Sequence, residues 1–143
     1  MRLVLPLRQR VLRAHQQIDE IVTDGDRSGV HFAAFDETGA IVGVASLHDE
    51  REAAAEPIWR LRGMAIDERC RGEGVGRAVM DEVLDFIATS GGGLFWCNAR
   101  LPAVGFYEKF GFVTVGEEFE EPVIGRHVRM ERVVEGYQHT EAP

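Results

Sequence analysis

Cysteine is scarce. The chain of 143 residues holds two, Cys70 and Cys97. They form no Cys-x-x-Cys pair, and two thiols alone cannot build a structural zinc site, so no metal is expected. Two reduced thiols in a reducing compartment are the expectation. Long apolar runs are absent too: none approaches the roughly 20 residues that span a bilayer. The opening Met1-Arg2-Leu3-Val4-Leu5-Pro6 is too short and too broken for a secretory signal. A soluble, cytoplasmic protein follows as the expected location. Positive charge is also in short supply, with 16 Lys and Arg against 24 Asp and Glu and a net charge of −8. That disfavours nucleic acid and anionic membranes as partners, because both reward positive charge. It would suit a cationic acceptor.

What is present fits one globular domain. Apolar residues make up 45% and charged residues 28%, ordinary values for a chain that can bury roughly two thirds of its unfolded surface. Leu7, Val11, Leu12 and Ile18 recur at near-helical spacing, so a helix is expected over Leu7–Ile21. Thr23–Gly29 reads as a loop. Val30–Phe35, the turn Asp36–Gly39 and Ala40–Leu47 read as a hairpin. His48–Pro57 is charged and alanine-rich, a loop or frayed turn, and Ile58–Ile66 reads as the next strand. Gly74–Thr89 is the clearest helix, with Val75, Val79, Met80, Val83, Leu84 and Ile87 on one stripe and Asp81, Glu82 and Asp85 facing away. Ser90–Gly93 ends it. Leu94–Asn98 is a short strand and Pro102–Lys109 a short helix. Phe112–Val115 and His127–Val133 are expected to pair as strands around a long acidic connection. The tail Glu135–Pro143 reads as polar and frayed. The order implies a mixed α/β fold with helices interrupting one largely antiparallel sheet.

One stretch carries chemistry. Arg71-Gly72-Glu73-Gly74-Val75-Gly76 lies between a strand and the strong amphipathic helix. Its glycines let backbone approach a ligand closely. The helix start supplies unpaired N–H groups and partial positive charge, and Arg69, Arg71 and Arg77 add more. Together these suit a phosphate or pyrophosphate. A plain glycine-rich turn would share the composition. The P-loop pattern does not fit, because Arg77 and Ala78 follow Gly76 where Lys and Ser or Thr are needed. The dinucleotide fingerprint does not fit either: the third glycine comes one residue too soon.

The loop is similar to the acyl-CoA motif of the GNAT superfamily, Arg/Gln-x-x-Gly-x-Gly/Ala, with Arg71, Gly74 and Gly76 in its defined positions. The wider stretch Leu61–Gly72 resembles that family as well, with Asp67 where a proline is common. A second stretch, Asn98–Phe112, resembles the family's Asn-x-x-x-x-Ala-x-x-Phe-Tyr-x-x-x-Gly-Phe element. The resemblance covers about residues 30–133. It implies a GNAT-like mixed, largely antiparallel central sheet flanked by helices, in an N-acetyltransferase domain spanning residues 1–134 with residues 135–143 as a polar tail. Because the chain begins almost at its first expected helix, the first strand usual in the family is expected to be missing or very short.

What the resemblance implies for the site is specific. The strand residues Met64, Ala65 and Ile66 would run beside the pantetheine arm of acetyl-CoA, with the backbone of Met64 and Ile66 pairing to it as an added strand would. The loop Arg71, Gly72, Glu73, Gly74, Val75, Gly76 and Arg77 would hold the pyrophosphate through N–H groups. Asn98 would hydrogen-bond the arm, and Ala103 and Phe106 would pack against it. Tyr107 would protonate the departing thiolate. The acceptor would be a primary amine attacking directly. A homodimer is the expected assembly, on no sequence signal of its own. An alkyl ammonium has a pKa of about 10.4 and must lose a proton first. Trp59–Met64 carries no glutamate, so the base is open among His31, His48, Asp49, Glu50, Glu120, Glu121 and His127. Phe119-Glu120-Glu121, His127 and Met130 loosely resemble a Phe-x-Glu…His-x-x-Met ending in one branch of small GNAT proteins, with one residue more before the histidine. His31 fits that branch too. His31, Glu121 and His127 are therefore the expected acceptor-side residues. The alternatives are a non-catalytic acyl-CoA-binding or regulatory module, and a nucleotide-binding module, which would not require the Asn98–Phe112 spacing.

Overall fold

The computed structural model describes residues 10–13, 29–50 and 56–137. They fall into two compact units. One is formed by residues up to His48 with Leu61–Phe86, the other by Asp49–Arg60 with residues from Ile87 onward.

In the first unit, β1 (Arg10–Arg13), β2 (Val30–Phe35) and β3 (Ile41–Asp49) follow one another, each hydrogen-bonded to the next, and β3 neighbours β4 (Ile58–Ile66). β2 and β3 form the expected antiparallel hairpin, from Val30↔Leu47 to Phe35↔Ile41. The Asp36 carboxylate closes its turn, accepting from Thr38 Oγ1 at 2.6 Å and from the N–H groups of Thr38 at 2.8 Å and Ala40 at 3.1 Å. Those bonds, the Thr38 hydroxyl foremost, hold the carboxyl below its ordinary range.

The helix expected over Leu7–Ile21 is overturned where the chain is described. Arg10–Arg13 is a strand, antiparallel to β2 from Arg10↔Phe35 to Arg13↔Phe32. A few apolar residues fit either period, and the open edge of β2 offers a backbone ladder that local spacing does not reveal. A strand is thus present at Arg10–Arg13 ahead of the hairpin. The remainder of the expected helix and most of the Thr23–Gly29 loop lie outside the described residues, as do residues 51–55 of the expected His48–Pro57 loop.

α1 (Val75–Thr89) forms where the apolar stripe requires, and Val75, Val79, Met80, Val83 and Ile87 are buried. Its first turn packs on β3 because Gly43 has no side chain. A Cβ there would stand 2.8 Å from Val75 Cγ1 and 3.0 Å from Ile66 Cδ1. Gly43→Ala should therefore cost about 1–3 kcal/mol of stability through overpacking. Chemical denaturation measures this; an unchanged midpoint would show that the start of α1 yields freely.

In the second unit, the N-terminal part of β4 runs parallel to β5 (Gly92–Arg100), pairing Ile58–Arg60 with Leu94–Trp96. β5 is antiparallel to β7 (Gly125–Glu135) from Gly92↔Glu135 to Arg100↔His127. β7 is antiparallel to β6 (Val113–Glu121). β5 is longer than the Leu94–Asn98 expected. The expected long acidic connection is overturned: Glu117–Glu121 belongs to β6, and only residues 122–124 separate the strands. Low β-propensity of glutamate hid this, but an edge strand tolerates exposed charge. Gly116, at φ 82°, accompanies the bulge between Val115 and Phe119. α2 (Val104–Glu108) follows a 3₁₀ turn at Leu101–Ala103 that holds Pro102 at its start. The tail is not frayed where it begins. Glu135 ends β7, and the Tyr137 N–H donates to Ala88 O at 3.0 Å.

Cys97 is 2% exposed, and burial pushes its thiol up to about 12. Cys70 is half-buried and raised by desolvation. Thiol titration near neutral pH should therefore modify Cys70 alone in native protein and Cys97 only after denaturation. Rapid native reaction of both thiols would contradict the packing.

Candidate active site

The first unit builds the glycine loop. At the end of β4 the Asp67 N–H donates to Val42 O at 2.8 Å. The Asp67 carboxylate then caps a 3₁₀ turn, Glu68–Cys70, by accepting from the Arg69 N–H at 2.9 Å and from Arg69 Nη2 at 3.1 Å. The Arg69 side chain, bonded to it, holds the carboxyl below its ordinary range. A proline could cap nothing here, so the departure at Asp67 is itself structural. Within the loop, the Arg71 N–H donates to Glu68 O at 3.3 Å and the Glu73 N–H to Cys70 O at 3.2 Å. These two N–H groups are spent on the loop itself.

Gly72 and Gly74 adopt φ of 84° and 87°, which side chains adopt at a cost. No described atom lies within 4 Å of where a Cβ would stand at either. Backbone conformation, not crowding, demands these glycines, and the space before them is open. The Ala78 N–H donates to Gly74 O at 3.0 Å, the first rung of α1. The N–H groups of Val75 and Gly76 therefore precede that rung, at the positive end of the helix dipole. Arg71 and Arg77 are exposed. Met64 and Ile66 are half-buried and lie past the three-pair ladder that ends at Arg60.

The second unit positions Tyr107, the one buried residue of α2, at 7% exposure. Its ring stands edge-on to Phe106 (5.2 Å between centroids) and to Phe112 (5.4 Å). Phe112 in turn meets Phe95 at 5.1 Å, and Phe106 meets Phe110 at 5.1 Å. The Tyr107 carbonyl accepts from the N–H groups of Phe110 at 2.9 Å and Phe112 at 3.3 Å. Burial, with Cys97 a lesser cause, pushes the phenol well above its usual value. Tyr107 is thus fixed in rotamer and protonated throughout the neutral range, which suits a proton donor and not a base. Asn98 is half-buried on β5 opposite Arg129, and Ala103 and Phe106 are half-buried around α2.

His127 is 6% exposed on β7, opposite Arg100 of β5 and Phe119 of β6. The Phe119 ring stacks on its imidazole at 5.7 Å and 22°. His127 Nδ1 lies 2.9 Å from Gly125 O. Glu121 is half-buried, two residues beyond Phe119 and so on the same face of β6. Glu118 and Glu120 alternate to the other face and both accept from Arg126, at 3.2 and 3.3 Å. His31 lies in the first unit, 2% exposed, with Nδ1 3.0 Å from Ser46 Oγ. His48 is buried on β3, and Glu50 accepts from Trp96 Nε1 at 3.0 Å.

One feature escaped the sequence reading. The Arg60 and Arg129 guanidiniums lie 4.5 and 3.8 Å from the Trp96 ring centroid, each worth of order 1 kcal/mol as a cation–π contact. They come from the strands on either side of β5. The alternation Trp96, Asn98, Arg100 marks that face, but only strand order supplies the arginines. Among the described residues no group of three or more His, Cys, Asp or Glu could hold a metal, and no helix is long and apolar enough to cross a membrane.

The profile of a family described as an acetyltransferase (GNAT) domain matches residues 9–134. The chain is 33% identical over 128 residues to the uncharacterized N-acetyltransferase YitI of Bacillus subtilis (strain 168), covering 87% of this chain and 85% of that one. A GCN5-related N-acetyltransferase from Kribbella flavida superposes with a TM-score of 0.68 at 22% identity, covering 90% of this chain and 99% of the other. The ribosomal-protein-S18-alanine N-acetyltransferase of Escherichia coli superposes with a TM-score of 0.69 at 14% identity, covering 91% and 96%. At such identities these structures share the fold: a mixed sheet flanked by helices in a single domain.

Proposed function

Since the chain belongs to the GNAT acetyltransferase family, we propose that it transfers an acetyl group from acetyl-CoA to a primary amine by direct attack, with Tyr107 as general acid. The family makes it an acyltransferase with an amine acceptor. The donor, the mechanism and the residues are the proposal. The observation that carries it is the open left-handed loop at Gly72 and Gly74, which leads into the N-terminus of α1. Such a cradle fits a pyrophosphate.

In this reading the N–H groups of Gly72, Gly74, Val75, Gly76 and Arg77 hold the pyrophosphate of the donor. Those of Arg71 and Glu73 shape the loop instead, and the Arg71 and Arg77 side chains add charge. The backbone of Met64 and Ile66 pairs with the pantetheine arm, Ala65 lies between them, Asn98 hydrogen-bonds the arm, and Ala103 and Phe106 pack against it. The amine nitrogen attacks the thioester carbonyl, the C–S bond breaks, and the thiolate takes its proton from Tyr107. His31, Glu121 and His127 are the acceptor-side candidates of this reading. The acetyltransferase domain spans residues 1–134 with a tail at 135–143, in the cytoplasm, and assembles as a homodimer.

A thiol-release assay with acetyl-CoA tests the reading over a panel of a polyamine, an aminoglycoside, an amino acid and a peptide with a free N-terminus. Amine-dependent release of CoA is the expected result. Acetyl-CoA binding with no turnover on any amine would leave a non-catalytic module. Stabilisation by ATP but not by CoA in thermal shift would overturn the donor assignment.

A further inference from the structure

The proposed reaction requires a base, because an alkyl ammonium has no lone pair with which to attack. Most acidic candidates in the second unit are engaged elsewhere. Glu118 and Glu120 hold Arg126, Glu131 holds Arg129 at 2.7 Å, and Glu50 accepts from the Trp96 indole. In the first unit, His31 Nδ1 meets a hydroxyl. A hydroxyl can donate or accept, so that bond does not determine the tautomer.

His127 differs. Nδ1 faces the carbonyl oxygen of Gly125 at 2.9 Å. A carbonyl can only accept, so Nδ1 carries the hydrogen, and in the neutral ring Nε2 keeps the lone pair. Gly125 reaches φ 112°, a backbone that favours glycine, as its residue turns out of the hairpin and aims that carbonyl back at the residue two positions on. Phe119 stacks on the ring at 22° and fixes its plane. Among the described residues, Nε2 has no hydrogen-bond partner. A tautomer locked by a backbone carbonyl, in a ring held by stacking, is how an imidazole is prepared to accept a proton at one chosen atom.

We infer that His127 Nε2 is the general base, taking the proton from the ammonium of the acceptor before attack. The inference rests on the acetyltransferase reading above. The proton passes from the acceptor nitrogen to Nε2, and the freed pair forms the C–N bond. The C–S bond then breaks, with its electrons leaving on the sulfur, which takes the Tyr107 proton. The amide nitrogen sheds its second proton to the phenolate, restoring Tyr107, and His127 releases its proton to water.

The test uses His127→Asn. The Asn amide N–H can reach Gly125 O as Nδ1–H does, so the hairpin keeps its hydrogen bond while the base is lost. With the amine panel and saturating acetyl-CoA, kcat should fall about 100-fold or more, while the melting temperature and acetyl-CoA affinity stay near wild type. Added imidazole should restore part of the rate to a His127→Ala variant. Nitrogen-15 NMR of the wild-type imidazole should show the hydrogen on Nδ1 in the neutral form, whatever the acceptor. A kcat for His127→Asn within threefold of wild type, or a neutral ring protonated at Nε2, overturns the inference and leaves the acetyltransferase reading standing. A wild-type protein that acetylates no amine overturns that reading, and the base assignment with it.

Discussion

Replacing Tyr107 by Phe is expected to lower kcat by roughly 10- to 1,000-fold while leaving the KM for acetyl-CoA nearly unchanged. The change deletes one hydroxyl and keeps a ring wedged between Phe106 and Phe112, so α2 and its packing should survive. The effect is bounded above by the leaving group. An alkyl thiol has a pKa near 8.5 and can depart as a thiolate, so an acid accelerates the step without being indispensable. Burial raises the Tyr107 phenol above its usual value of 10.0. The hydroxyl is therefore protonated at every pH below that value, and its ionisation should impose no descending limb on the kcat profile between pH 6 and about 9. Steady-state kinetics with an accepted amine give the result. A kcat within about twofold of wild type, with chemistry rate-limiting, would make Tyr107 a packing residue and point to an ordered water or direct thiolate departure.

Gly74→Glu is expected to abolish acetyl-CoA binding, raising Kd at least on the order of 100-fold, or about 2.7 kcal/mol. Two causes act together. Position 74 holds φ 87°, which costs a residue with a side chain roughly 1–2 kcal/mol. The new side chain would also enter the open space before the loop, setting a carboxylate against the phosphates of the donor. Gly74→Ala separates the causes, since it keeps the backbone penalty and adds no charge; its Kd should rise less. Isothermal calorimetry on folded variants measures both. Unchanged affinity in Gly74→Glu would remove the loop from the binding site.

The glycine loop was more legible in the sequence than the surroundings of His127. The glycines at 72, 74 and 76 are local determinants: a left-handed backbone and a helix start are specified within a few residues, and spacing reports them. The same holds for the hairpin at Asp36–Gly39 and for the stripe from Val75 to Ile87. The surroundings of His127 depend on strand pairing and turn geometry that no short sequence pattern reports. Glutamate-rich 117–121 gave no sign of being a strand, yet its pairing with β7 sets Phe119 against His127 and turns Glu118 and Glu120 toward Arg126.

The sequence by itself determined the family and the backbone of the glycine loop, because each lies in a short contiguous pattern whose demands are local. The tertiary structure decided the rest. It drew Arg10–Arg13 into a strand against the helical spacing of its residues, since an open edge on β2 outweighs weak periodicity. It set Arg60 and Arg129 about Trp96 from separate strands. It also fixed which nitrogen of His127 carries the hydrogen, because only the folded hairpin brings the Gly125 carbonyl to Nδ1. A tautomer is a property of a hydrogen-bond partner, and that partner is supplied by the turn, not by the histidine.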